Sequence, residues 1–89
     1  LIIDNGAVQA IRNGKSLLPV GIKAMDGKFE KGDHIKVLDL NNKEHARGLS
    51  SFSSDEIDKI KGCQSNQIKK ILGYSSRDEV IHKDDLVKV

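Results

Sequence analysis

Tryptophan is absent from this chain, and the aromatic side chains number three: Phe29, Phe52 and Tyr74. That scarcity argues against a single-stranded nucleic-acid platform built from stacked rings. There is one cysteine, Cys63, which excludes a disulfide framework and any multi-cysteine metal site within these residues. A lone thiol suits a reducing compartment, so a cytoplasmic setting is expected. No apolar run approaches the ~18 residues that a bilayer-crossing helix needs. No membrane partner is expected, and no secretory leader pattern is visible. Charge of a single sign is lacking as well: 15 basic side chains against 13 acidic ones leave a net charge of +2. This excludes strong non-specific nucleic-acid binding by bulk charge, while a local basic patch stays open.

What is present suffices for one small domain spanning residues 1–89. Leu, Ile, Val and Phe make up 26 of the 89 residues, above the roughly 20% below which chains tend to stay disordered. The core is expected to be thin, because a domain near this size buries only about 60–65% of its unfolded surface. The chain starts at Leu1, inside an apolar run and without an initiator Met. It reads as a piece of a longer protein.

Local patterns set the element order. Leu1–Ile3 reads as a short strand, and Asp4 or Asn5 caps a helix over Gly6–Asn13 that Gly14 ends. Pro19 forbids a helix through the Lys15–Ile22 loop. Ile22–Met25 is a short strand, turned at Asp26-Gly27. His34–Leu40 is the strongest strand, but its alternation slips phase between Val37 and Leu38, which predicts a bulge or two covered faces. Asn41-Asn42 suits a hairpin turn, and Glu44–Phe52 returns as a weaker strand with Gly48 at a bulge or close approach. Ser53 and Glu56 form a capping-box pattern at the head of a second helix. Ser65 is expected to cap a third, carrying Ile68, Ile71 and Leu72 on one stripe. Val80-Ile81 and Leu86–Val89 close the chain as strands around a Lys83-Asp84-Asp85 turn. The order β-α-β-β-β-α-α-β-β favours a mainly β fold with short helices, a small mixed barrel. Gly21 and Gly48 are expected in conformations closed to residues with a Cβ.

The chemical inventory points away from catalysis. There is no glycine-rich phosphate loop of the Walker or dinucleotide type. Asp84 and Asp85 are adjacent carboxylates that suit a turn, and His34, His45 and His82 are too scattered to read as a metal set. Cys63 follows a helix-stopping glycine and reads as a small hydrophobe at a helix junction. Capping accounts for Ser53 and Ser54. No catalytic, cofactor or metal residue is therefore assigned. Two basic groups remain. Lys59, Lys61, Lys69 and Lys70 suit a solvated helix face balanced by Asp55, Glu56 and Asp58, or else a nucleic-acid patch. Arg12, Lys15 and Lys23 flank the Leu17–Ile22 loop, where backbone can approach a phosphate closely.

Three segments carry a resemblance: Leu17-Leu18-Pro19-Val20-Gly21-Ile22, Gly32-Asp33-His34-Ile35-Lys36-Val37 and Ala46-Arg47-Gly48-Leu49-Ser50. Together they resemble a PUA domain, the family named for pseudouridine synthases and archaeosine transglycosylases. That resemblance implies a mixed β pseudobarrel of about six strands with two helical segments. More narrowly, Asp4-Asn5-Gly6-Ala7, Gly14–Pro19, Ser53–Ile57, Ile71–Tyr74 and Ile81–Leu86 are similar to the C-terminal PUA domain of bacterial glutamate 5-kinases. Such a parent would transfer the γ-phosphoryl group of ATP, with Mg, to the side-chain carboxylate of L-glutamate on the way to proline. Its machinery would lie in a separate N-terminal amino-acid-kinase domain, so the resemblance brings no catalytic residue here. It implies two roles. One is a regulatory and structural appendage that packs on the kinase domain or a neighbouring subunit. The other is RNA binding through the first helix and adjoining loop, whose matching positions are Arg12, Lys15, Ser16, Leu18, Pro19, Gly21 and Lys23. One departure stands out: many RNA-binding members have adjacent Pro-Gly, whereas Val20 here separates Pro19 from Gly21.

Overall fold

The structure, a computed structural model, describes residues 1–74 and 77–89. Its frame is one mixed sheet in the order β2-β1-β3-β4-β5. The strands are β1 (Ile2–Ile3), β2 (Ile22–Ala24), β3 (His34–Leu38), β4 (Glu44–Leu49) and β5 (Leu86–Lys88). Strand β1 sits inside the sheet, antiparallel to β2 and parallel to β3. Among the described residues three short α-helices complete it: α1 (Asn5–Arg12), α2 (Ser54–Ile60) and α3 (Ile68–Leu72). A mainly β fold with short helices is what the sequence pattern predicts. No helix among the described residues is long and apolar enough to cross a membrane.

Each helix starts and stops for a local reason. The Asp4 carboxylate accepts the Ala7 backbone N–H at 2.8 Å and so caps α1. In α2 the Ser53 hydroxyl accepts the Glu56 N–H while the Glu56 carboxylate accepts the Ser53 N–H, the reciprocal capping box. Helix α3 ends at Gly73 in the left-handed region, φ 82°. Ser65 does not cap it. The Ser65 hydroxyl instead donates to the Asp78 carbonyl, and a single 3₁₀ turn over Ser65–Gln67 leads into the helix.

The predicted phase slip in β3 is a bulge. Val37 pairs with Ala46 but Leu38 pairs with Glu44, so His45 is the extra residue and it lies on β4. That step turns both His45 and Ala46 inward, which the period of two forbids in a regular strand. Val80-Ile81 is reduced from an expected strand to a single antiparallel bridge, Leu17 with Ile81. The ladder cannot lengthen: Pro19 has no N–H two residues beyond Leu17, and a 3₁₀ turn over Pro19–Gly21 diverts the chain. Lys83–Asp85 forms another such turn before β5.

The core gathers Ile3, Ile11, Leu17, Ile22, Val37, Phe52, Ile57, Ile60, Val80 and Ile81. It lies between the sheet and the helices, with Ile68 of α3 also buried in it and Leu72 packed against it. Two glycines are fixed by space. A Cβ on Gly48 would stand 2.6 Å from the Asp85 carbonyl oxygen and 2.7 Å from Ile81 Cγ2. A Cβ on Gly21 would stand 2.5 Å from Ala7 Cβ. Neither has a positive φ, so the obstacle is a neighbouring element and not the backbone conformation.

Candidate functional site

A cleft of about 490 Å³ opens between α1, the Leu18–Gly21 turn and the Asp78-Glu79 segment. Its position follows from three local facts. Helix α1 buries Val8 and Ile11 and so turns Gly6, Ala7 and Ala10 toward the turn. The turn is held at both ends: the Gly21 carbonyl accepts the Asp4 N–H at 2.9 Å, and the Pro19 carbonyl accepts the Gly62 N–H at 2.8 Å. The Leu17–Ile81 bridge then carries Asp78 and Glu79 to the opposite lip.

The structure divides the seven positions implied as RNA contacts. Lys15, Ser16, Leu18 and Gly21 line the cleft. Pro19 is buried beneath the turn that presents Leu18 and Val20. Lys23 lies exposed on edge strand β2 and is not among the lining residues. Arg12 also lies outside the lining, and its guanidinium faces the His45 ring, Nη2 to Nδ1 at 3.4 Å. Arg12, Lys15 and Lys23 therefore do not converge in the cleft.

The cleft also holds residues that the sequence reading did not single out. These are Asp78 and Glu79, which join the helix-capping Asp4 to set three carboxylates around the cleft against the single ammonium of Lys15. Its walls are mainly apolar and include Ala7, Ala10, Leu18 and Val20. Leu18 and Val20, on either side of the buried Pro19, are 40% and 49% exposed. The Ser16 hydroxyl accepts the Lys83 N–H at 2.8 Å. Asp78-Glu79 lies about 60 residues from Lys15 in sequence, and no spacing pattern joins them.

The remaining candidates have structural partners. His45 is 8% exposed and bridges Arg12 and Asp39, with Nε2 2.8 Å from Asp39 Oδ2. A guanidinium can only donate, so Nδ1 accepts and Nε2–H is the proton given to Asp39. The His45 hydrogen bond holds the Asp39 carboxyl below its ordinary range, helped by the Lys43 and Asn41 backbone N–H groups. His82 accepts the Asp84 N–H and caps its turn. Burial would raise Glu56, but the Tyr74 hydroxyl and Ser53 outweigh it and leave the carboxyl lowered. Cys63 packs half-buried against the core, and burial pushes its thiol up. Lys61 pairs with Asp58 one turn earlier, while Lys59, Lys69 and Lys70 are exposed. Asp84 and Asp85 sit in a turn, as their spacing suggests. Among the described residues no three His, Cys, Asp or Glu side chains group to hold a metal. One ammonium facing three carboxylates is also a poor cradle for a nucleotide triphosphate.

The PUA domain family model matches residues 1–72. The chain is 68% identical over 89 residues to a glutamate 5-kinase of Pelagibacter ubique, covering 100% of this chain and 24% of that protein. It is 53% identical over 88 residues to a glutamate 5-kinase of Thermoanaerobacter, again covering 24% of that protein. The chain thus spans about a quarter of the length of these curated relatives. Among solved structures, a PUA domain from Aeropyrum pernix K1 in a tartrate complex superposes with a TM-score of 0.66. That match has 18% identity and covers 91% of this chain and 39% of the other. A conserved PUA domain protein from Thermoplasma acidophilum gives a TM-score of 0.64 with 27% identity, covering 91% of this chain and 46% of the other.

Proposed function

This chain belongs to the PUA domain family, and from that premise we propose that it is the non-catalytic C-terminal PUA domain of a glutamate 5-kinase. On this reading the domain is a regulatory and structural appendage, packing on the enzyme's own kinase domain or on a neighbouring subunit in the cytoplasm. The observation that carries the reading is the 68% identity to a glutamate 5-kinase across the full 89 residues, at 24% of that enzyme's length. Phosphoryl transfer from ATP to the glutamate side chain, and the Mg that would accompany ATP, are then assigned outside these residues.

The test is removal of this domain from the full-length enzyme. The expected result is a change in feedback inhibition by proline, in metal dependence or in assembly state. Kinetics and assembly that match the intact enzyme would overturn the reading.

RNA binding is the second reading. It is favoured by the convergence of Lys15, Ser16, Leu18 and Gly21 on one cleft. The carboxylates of Asp4, Asp78 and Glu79 oppose it, because each repels a phosphate. Titration with single-stranded RNA at two salt concentrations separates the two. Salt-sensitive binding that is lost on Lys15→Glu supports RNA, with a log–log slope of about −0.7 per phosphate neutralised.

A further inference from the structure

We propose that the cleft beside α1 docks a polypeptide segment of the kinase domain in which an apolar side chain is flanked by arginine or lysine. The inference rests on the appended-domain reading and names the surface and the chemistry of the contact. Three observations carry it.

The first is the apolar floor. Leu18 and Val20 expose 40% and 49% of their surface, yet the turn that carries them is pinned at Pro19 and Gly21. Apolar groups held ready on a fixed turn lose little conformational freedom when covered, so their burial converts efficiently into affinity. The opposite wall, Ala7 and Ala10, offers only methyl groups and leaves room for a side chain. The second is the rim. Three carboxylates against one ammonium give the cleft the opposite sign to the chain as a whole, whose net charge is +2. A cationic segment is attracted there, and an acidic one is repelled. The third is size. A cleft of about 490 Å³ suits one or two side chains and not a large globular face.

The experiment measures fluorescence polarisation of four labelled probes with this chain. The probes are a peptide of alternating arginine and leucine, its glutamate–leucine and arginine–serine counterparts, and oligouridylate. The arginine–leucine peptide is expected to bind and the other three to bind at least about tenfold more weakly. Leu18→Ser with Val20→Ser is expected to weaken it about tenfold or more, as is Asp78→Lys with Glu79→Lys. All four residues lie at the surface of the cleft, and a cooperative melt for each variant shows the fold kept. Lys15→Glu is expected to tighten binding. Equal binding of the glutamate–leucine peptide overturns the charge argument, and equal binding of the arginine–serine peptide overturns the apolar one. Preferred binding of oligouridylate, lost on Lys15→Glu, overturns the proposal in favour of RNA. Domain removal that alters the enzyme, with no peptide bound here, sinks the cleft but leaves the appended-domain reading intact. Peptide binding with an unaltered truncated enzyme sinks the appended-domain reading and, with it, the kinase domain as the occupant of the cleft.

Discussion

Gly21→Ala is the sharpest test of how the cleft is built. The new Cβ would lie 2.5 Å from Ala7 Cβ, against the roughly 3.5–4.0 Å at which carbon atoms pack. Helix α1 and the Pro19–Gly21 turn would have to part by about 1 Å. They are not free to do so, because the Asp4 N–H bonds the Gly21 carbonyl at 2.9 Å and Asp4 also caps α1. Overpacking of this kind costs about 1–3 kcal/mol. The expected loss is about 2 kcal/mol, which lowers Tm by roughly 8–16 °C in a domain of this size. Ala7→Gly alone should cost about 1 kcal/mol through helix propensity. Combining the two removes the clash, since the next neighbour of the new Cβ is Ala7 Cα at 3.6 Å, an ordinary contact. The double variant should therefore lose about 1 kcal/mol, where simple addition predicts about 3. Urea denaturation of the four proteins, followed by circular dichroism, measures the cycle. Additivity within about 0.5 kcal/mol would refute the reasoning, because it would mean that the two groups do not meet.

Further expectations follow from the same contacts. Gly48→Val should destabilise by about 1–3 kcal/mol, because its Cβ meets the backbone oxygen of Asp85 and the buried Ile81. A thermal melt unchanged from the parent would show that β4 and the Asp85 turn are less tightly apposed. Gly6→Ala makes the contrasting case: its Cβ finds only Asp4 Oδ1 at 3.5 Å, so a small gain of up to about 1 kcal/mol is expected in the same melt. Asp39 has its pKa lowered on folding, so between the folded and unfolded values the folded state binds fewer protons. Its contribution is present above the unfolded value, near 3.8, and is lost as pH falls through the lower folded one. Melting from pH 2 to 6 should show a flatter acid limb in Asp39→Asn, and identical limbs would remove the His45–Asp39 bond from the account. Ser53→Ala breaks the capping box of α2 and should cost about 1 kcal/mol by urea denaturation. No loss would show that the Ser53 cap adds nothing to α2.

Several features were legible in the chain because they rest on neighbours in sequence. The cap at Asp4 or Asn5, which the structure assigns to Asp4, the Ser53–Glu56 box and the glycine stop at Gly73 each need a residue type at a fixed short spacing. The phase slip was legible for the same reason, since alternation fails between Val37 and Leu38, but whether it meant a bulge or two covered faces was decided by strand pairing. Which strand carried the extra residue was not legible either, because that is a property of the pair, and pairing placed it at His45. Val80-Ile81 has strand-forming residues, but whether it becomes a strand depends on the partner, and Leu17 offers a single bridge before Pro19 turns away. Gly48 was marked as a bulge or a close approach by its place in a strand; it proves a close approach, and the reason, Asp85 and Ile81, lies more than thirty residues on.

The candidate site divides along the same line. The sequence placed Lys15, Ser16, Leu18 and Gly21 near one loop and found no catalytic set. Tertiary structure decided that Arg12 turns to His45, that Lys23 stays on the β2 edge, and that Asp78 and Glu79 close the opposite lip. The physical reason is one of range. Capping, turn chemistry and hydrophobic period act over a few residues and can be read along the chain. The sign of the charge around a cleft is a sum over side chains that only folding brings together.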